Sequence, residues 1–417
     1  IKASYNSTGK RGVAQLVARS VRDAEVGGSS PLAPISIVQG IVSRLCLIRR
    51  IKTERRETML KAAIVGATGI VGQQFLVALK DHPWIEIAAL AASERSAGRS
   101  YKEAITDDQS RALRWFCQES PVEEVMAMPV QNAIDMDVSA LDIVFSAVES
   151  DQAKILEPKF ASNKAVISTA SAFRYDGDVP VLIPGINSQH AKLIDVQRKA
   201  RGWKGFITPI PNCTTTGLAI TLKPIHEAFG VNAVIMTSMQ AISGAGRSPG
   251  VMGLDILDNV IPFIAGEEEK VQRETQKILG SLAGNAISPA KFNVSCTCTR
   301  VNVREGHTES VFFSTQKACE ADDVARAMRE YVGSPGDAEL PSAPRHMIIV
   351  HEDPFRPQPR LDRDAEDGMA TVVGRIRKDN VLKNGIKYVL VSHNTKMGAA
   401  KGAVLIAELL IRDGYIS

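Results

Sequence analysis

The chain has 417 residues, 44% of them hydrophobic and 23% charged, with a formal net charge of +4. That length implies two domains with ample core, and the balance is that of a globular protein, excluding disordered and fibrous classes. No apolar run is long enough to cross a bilayer, and six cysteines in so long a chain do not make a disulfide framework, so a reducing, cytoplasmic location is expected.

The positive charge is concentrated in residues 1–58, which carry a balance of +7, whereas the remaining 359 residues carry −3. No nucleic-acid surface is therefore expected in the body of the chain. Residues 1–58 also lack helical or strand periodicity. They read as a transit peptide, as a basic arm, or, the preferred reading, as no natural part of the fold, because residues 11–31 resemble the peptide made when a transfer-RNA gene is translated. Met59 is then the expected start.

Leu60–Val65 is a short apolar strand, Gly66-Ala67-Thr68-Gly69-Ile70-Val71-Gly72 follows, and Gln73–Leu79 reads as a helix. Strand, glycine loop and helix form the setting in which a dinucleotide pyrophosphate rests on a helix N-terminus, which makes Gly66, Thr68, Gly69, Ile70, Val71 and Gly72 candidate cofactor contacts. The spacing is GxxGxxG rather than GxGxxG, and glycines that merely permit a tight turn are the competing explanation. The next strand, Ile85–Ala92, runs into Ser93-Glu94-Arg95-Ser96-Ala97-Gly98-Arg99. An NAD enzyme usually offers a carboxylate there. Hydroxyls and guanidiniums suit a 2′-phosphate instead, so NADP is expected, held by Ser93, Arg95 and Ser96, with Glu94 discordant. Strands at Asp142–Ala147 and Ala165–Ser168 complete a parallel alternating sheet, giving an α/β, Rossmann-type domain over residues 59–205.

Pro211-Asn212-Cys213-Thr214-Thr215-Thr216-Gly217 leads into the apolar helix that begins at Leu218. A cysteine at a helix start lies beside free N–H groups that stabilise a thiolate, so its pKa should fall. A buried structural cysteine is the alternative. An α+β domain over residues 206–393 should follow. It holds a strand at Ala233–Gln240, a second glycine-rich loop at Ala241–Arg247, a charged helix after residues 258–270, and a strand at Asn293–Arg300. Cys296 and Cys298 share one face of that strand, without a second Cys or His pair at ligand spacing, and no metal site is expected. Period two also puts Arg300, Asn302 and Arg304 on one face, while Gly306 allows a turn that re-aims His307. Residues 353–362 read as an extended loop. The small-residue helix Ala399–Leu410 is expected to return to the first domain, completing it with residues 394–417.

Taken together, GATGIVG, SERSAG, PNCTTTG, QAISGAG, GEEEK, the Arg300–His307 spacing and HNTKMGAAKGA resemble the aspartate-β-semialdehyde dehydrogenases of the archaeal and fungal type, in order from Met59 to the C-terminus. The resemblance implies NADPH-dependent reductive dephosphorylation of L-aspartyl-4-phosphate to L-aspartate-4-semialdehyde through a cysteine thioester, on the route to Lys, Thr, Met and Ile. It implies Cys213 as nucleophile, His307 as acid and base, and Gln240 as the residue that orients the acyl group. It puts Arg300 on the substrate carboxylate, Glu267 on the ammonium, and Arg174, Lys270 and Asn212 on the phosphate. Ser243, Gly244 and Asn394 join the cofactor contacts. Small-molecule partners and a homodimer or homotetramer are implied, with no nucleic acid and no membrane. The chemistry suits these residue types, since a thiolate can displace phosphate from an acyl phosphate and an imidazole can handle the protons. A related acyl reductase, acting on malonyl-CoA or N-acetylglutamyl phosphate, is the alternative.

Overall fold

The computed structural model describes residues 56, 58–245 and 253–417. The N-terminal arm, apart from Arg56 and Thr58, and the Gly246-Arg247 end of the second glycine-rich loop lie outside the described residues. The described residues belong to one compact unit built on two sheets.

Short apolar runs alternate with helices to make the first sheet. Strands β1 (Leu60–Val65), β2 (Ile85–Ala92), β3 (Val130–Asn132), β4 (Ile143–Ser146), β5 (Ala165–Ser168) and β6 (Phe206–Pro209) pair in parallel in the order 3-2-1-4-5-6. Every residue of β4, β5 and β6 is buried, as in a parallel sheet covered on both faces. Because β6 pairs with β5, this sheet runs past the change-over expected at residue 205. Helix α1 (Ile70–Leu79) starts three residues before the expected Gln73, with Gly69 as its N-cap. Two glycines of this loop and helix start are required by backbone geometry. Gly66 has φ +87°, and a Cβ on Gly72 would fall 2.2 Å from the Gly66 carbonyl oxygen. Strand order reverses between β1 and β4, where ligands of such sheets bind.

The second sheet is mixed. It contains β7 (Val231–Gln240), β8 (Val260–Ile261), β11 (Asn293–Val301), β12 (His307–Thr315), β13 (Ile348–Val350), β14 (Thr371–Lys378) and β15 (Gly385–Ser392), in the order 13-14-15-12-7-11-8. The intervening β9 (Ser281–Ala283) and β10 (Ala286–Ser288) form a separate hairpin. Helices α4 (Cys213–Phe229), α5 (Glu267–Ile278) and α6 (Ala321–Arg329) pack against this sheet; α2 (Ser150–Ala161) and α3 (Leu193–Arg201) pack on the first. Along β11 the alternation holds, with Cys296, Cys298 and Arg300 buried on one face. It stops at Val301, so Asn302 and Arg304 lie in a turn and do not extend the Arg300 face as expected. Residues 359–362, expected within an extended loop, form a single helical turn.

The C-terminal helix α7 (Ala400–Arg412) lies against α1 and β5. Its fully buried Glu408 accepts from Ser342 N–H through both carboxylate oxygens, at 3.1 and 2.9 Å. The same carboxylate lies 2.9 Å from His82 Nε2. His82 Nδ1 accepts from the Trp84 and Ile85 N–H groups, which leaves Nε2–H as the donor to Glu408. One carboxylate thus ties α7 to the turn before β2 and to the loop at Ser342. Glu408→Ala strands the buried His82 donor, at a cost of about 1–3 kcal/mol, and the half-buried Ser342 N–H as well. The expected result is a lower denaturant midpoint with an unchanged slope, and Glu408→Gln should lose less.

Candidate active site

Four groups of predicted site residues sit where strands of the first sheet end. The glycine loop follows β1, Ser93 to Ser96 follow β2, the segment reaching Arg174 follows β5, and Asn212-Cys213 follows β6. All lie at the carboxyl edge of the parallel sheet, the edge at which such sheets bind ligands.

Cys213 is the first residue of α4, and Asn212 is its N-cap. The Asn212 side-chain oxygen accepts from Thr214 N–H at 2.9 Å and Thr215 N–H at 3.2 Å, satisfying two donors of the first turn. Cys213 Sγ lies 3.1 Å from His307 Nε2. His307 Nδ1 accepts from Ala241 N–H at 3.1 Å, so the ring proton resides on Nε2 and points at the sulfur.

The helix start expected to depress the thiol pKa is present, yet the resting thiol is pushed up to about 12. Burial is the main cause and the Glu267 carboxylate adds to it; Arg300, Arg174 and the Thr214 N–H act in the opposite sense and do not prevail. Burial, helped by Arg300 and His393, pushes the His307 ring down to about 3. The resting pair is therefore a neutral thiol beside a neutral imidazole.

Sheet topology brings the histidine's neighbours together. β11 runs parallel to β7 on one side, β12 runs antiparallel to it on the other, and residues 302–306 cross over the end of β7. Arg300 is the register partner of Gln240, and Thr308 that of Met239, so Gln240, Arg300 and His307 stand on three adjacent strand ends. Arg300 donates to the Ala241 carbonyl at 2.9 Å. A Cβ on Gly244 would come within 3.0 Å of Arg300 Nη1 and 3.1 Å of His307 Cε1, and one on Gly398 within 2.9 Å of Cys213 Cβ. Asn394 accepts from Gly306 N–H at 2.9 Å and donates to Ser243 Oγ at 2.8 Å, fixing the turn that presents His307.

Helix α5 supplies the charged wall. Glu267 accepts from Asn212 Nδ2 at 2.7 Å and Gln240 Nε2 at 3.3 Å, and pairs with Lys270 at 3.3 Å. Two turns along the same face is Glu274, which the motif reading missed. It is 1% exposed, accepts Asn212 N–H at 2.6 Å and pairs with Arg174 at 3.0 Å. Its signal in the sequence is the seven-residue spacing from Glu267, which returns a helix to one face.

The residues around the glycine loop fit a dinucleotide. The N-cap of α1 is Gly69, without a capping side chain or an acidic residue in the first turn, so its N–H groups and dipole favour an anion. Thr68, Gly69, Ile70 and Val71 are accessible, and Ser93, Glu94 and Arg95 are exposed beyond β2 with Ser96 half-buried. The strand order and this edge define a dinucleotide-binding domain, and its relatives make it that of an NADP-dependent oxidoreductase. "Semialdehyde dehydrogenase, NAD binding domain" matches residues 61–194, and "Semialdehyde dehydrogenase, dimerisation domain" matches residues 222–397. The chain is 46% identical over 352 residues to an aspartate-semialdehyde dehydrogenase of Methanothermobacter thermautotrophicus, covering 84% of this chain and 99% of that one. It is 42% identical to the Saccharomyces cerevisiae protein of the same name, covering 85% and 98%. The crystal structure of aspartate semialdehyde dehydrogenase with NADP from Candida albicans matches with a TM-score of 0.76 at 39% identity, covering 86% of this chain and all of that one. Aspartate semialdehyde dehydrogenase II of Vibrio cholerae, complexed with ASA, matches at 0.67 and 28% identity, covering 86% and 99%. The chain belongs to the aspartate-semialdehyde dehydrogenase family.

Of the five described cysteines, Cys213 alone keeps partial exposure as a residue, although its thiol packs inward; the other four are buried. While pH lies below a thiol's pKa, its thiolate fraction and alkylation rate climb about tenfold per pH unit. With the Cys213 pKa raised, iodoacetamide labelling of its peptide should keep climbing from pH 7 to about 9; a plateau near neutrality would show a preformed thiolate–imidazolium pair.

Proposed function

We propose that this chain reduces L-aspartyl-4-phosphate to L-aspartate-4-semialdehyde with release of phosphate, and that Cys213 is its nucleophile. The observation that carries the assignment is the Sγ–Nε2 contact of 3.1 Å at the start of a capped helix. The sulfur bonds to C4 of the substrate as the bond from C4 to the phosphate oxygen breaks, and phosphate leaves with the electron pair. Bound NADPH supplies the hydride that converts the thioester to the aldehyde level. The glycine loop, Ser93, Arg95, Ser96, Ser243, Gly244 and Asn394 are the residues that hold it in this reading.

His307 begins as a donor, because Nδ1 is engaged by Ala241. Its Nε2–H stabilises negative charge on sulfur, or on the oxygen at C4 as the thioester forms and collapses. For the ring to take the thiol proton at Nε2, the Ala241 contact must first be released. Gln240 stands beside Glu267 and Asn212 at the end of β7, where it can align the acyl group. The buried Arg300 guanidinium offers the two-pronged contact a carboxylate needs, and Glu267 offers the counter-charge for an ammonium. Arg174, Lys270 and Asn212 take the phosphate.

Homo-oligomer formation is supported by the dimerisation-domain match. Residues 59–209 with the C-terminal helix form the cofactor half in this reading, and the second sheet with its helices forms the catalytic and dimerisation half. Among the described residues no helix is long and apolar enough to cross a membrane.

The direct assay is phosphate-dependent NADP reduction with aspartate semialdehyde, run beside malonyl-CoA-dependent NADPH oxidation. Activity in the first and none in the second is expected. Cys213→Ser should nearly abolish turnover, and His307→Asn should lower it by about 10²–10⁴-fold. The double variant should be little worse than Cys213→Ser, because groups that act as a unit are not additive. Arg95→Ala should weaken NADP binding and spare NAD; equal loss for both would mark Arg95 as structural.

A further inference from the structure

Two residues read above as phosphate contacts, Arg174 and Asn212, come from segments that follow different strands, β5 and β6. Nothing in their own sequence fixes one relative to the other. In the structure a single side chain does so. Glu274 Oε1 accepts from Arg174 Nη1 at 3.0 Å and from the Tyr175 hydroxyl at 3.3 Å, while Glu274 Oε2 accepts from the Asn212 backbone N–H at 2.6 Å. The carboxylate is buried, and so is the guanidinium it holds.

A second anchor comes from the next turn of α5. Lys277 Nζ donates to the carbonyls of Arg174, Asp176 and Val179 at 2.8, 2.9 and 2.8 Å, pinning the segment that carries Arg174 to the same helix. The second guanidinium nitrogen of Arg174 donates to the Thr169 carbonyl at 3.0 Å, while its buried Nε has no partner among the described residues. The guanidinium is thus oriented from two sides before any substrate arrives, with its Nε donor uncommitted.

We propose that Glu274 is a positioning residue for phosphate: it locks the Arg174 guanidinium to the start of the Cys213 helix, so that the leaving group and the nucleophile are held in one frame. The proposal rests on the reading of Arg174 as a phosphate contact. A carboxylate suits the task because its two oxygens each accept in a different direction. An amide has only one acceptor oxygen, and its NH₂ repels whichever donor it meets. Glu274→Gln therefore keeps size and shape but can serve Arg174 or Asn212, not both.

The test uses the full chain in the phosphorylating direction, with inorganic phosphate as the varied substrate. Glu274→Gln should raise the KM for phosphate by about tenfold or more, while the KM values for NADP and aspartate semialdehyde stay within about twofold. Glu274→Asp keeps both acceptor oxygens at shorter reach and should fall between wild type and Glu274→Gln; it also serves if the amide variant folds poorly. Arg174→Ala is the reference and should raise the phosphate KM on its own. Adding Glu274→Gln to it should raise that KM little further, since the two act through one contact. A folded Glu274→Gln enzyme with wild-type phosphate KM, beside an impaired Arg174→Ala, would overturn the proposal. So would equal losses for all three substrates, the pattern of a structural role. An unchanged phosphate KM in Arg174→Ala removes the reading beneath the proposal, and the proposal with it.

Discussion

The site depends on one topological constraint: β7 ends between two neighbours that run in opposite directions. Because β11 is parallel and β12 antiparallel to it, the last residues of β7 and β11 and the first of β12 are forced to one edge. Five residues make the crossing, and Gly306 at φ +93° supplies the left-handed turn that ends it. A slip of one residue in any of these strands would turn its buried side chains outward, so the hydrophobic alternation that fixes register also fixes where His307 points. The contact with Cys213 is then completed from the other sheet's edge, where α4 begins just after β6.

Along the buried face of α5, charge is handled by pairing. Glu267 has Lys270, Asn212 and Gln240, while Glu274 has Arg174, Tyr175 and the Asn212 N–H. Burying an unpaired charge is costly enough that a polar cleft of this kind stands only if its members satisfy one another. Under the proposed reading, substrate binding is therefore an exchange of partners. An ammonium arriving at Glu267 competes with Lys270, and the Lys270 released by it is then available to phosphate. The low dielectric that pushes the thiol up and the imidazole down also strengthens each new contact once water is excluded.

Much of this was legible in the sequence because it is local. The glycine loop, the cysteine at a helix start and the buried face through Cys296, Cys298 and Arg300 depend on spacing within a few residues. What was not legible depends on distant chain. Phe206–Pro209 is too short to announce which sheet it joins, and only its pairing with β5 assigns it. The end of β11 at Val301 is set by the need to cross β7, which no residue type at positions 302 or 304 signals. The raised thiol pKa is not legible for the same reason: the helix start is local, whereas the burial that outweighs it comes from other segments. Glu274 does not stand out in the sequence because a glutamate in a charged helix usually faces water, and the buried face of α5 is defined by partners 100 and 62 positions away.

A glycine run is first read as a cradle for phosphates, and Gly66 to Gly72 fits that reading, with an uncapped helix N-terminus behind it. Gly244 and Gly398 meet something else. Their missing side chains leave space that Arg300, His307 and Cys213 occupy, at approaches of 2.9–3.1 Å from where a Cβ would stand. Any larger residue at position 398 would have to displace the Cys213 side chain or the backbone at Asn394. That backbone leads directly into α7, which lies against α1 at the opposite sheet. A glycine there thus lets the helix that closes the first sheet and the cysteine that faces the second share one tight contact. Strain introduced at that point would reach the nucleophile and the helix packing together, which is why backbone proximity, more than side-chain chemistry, joins the two halves of the site.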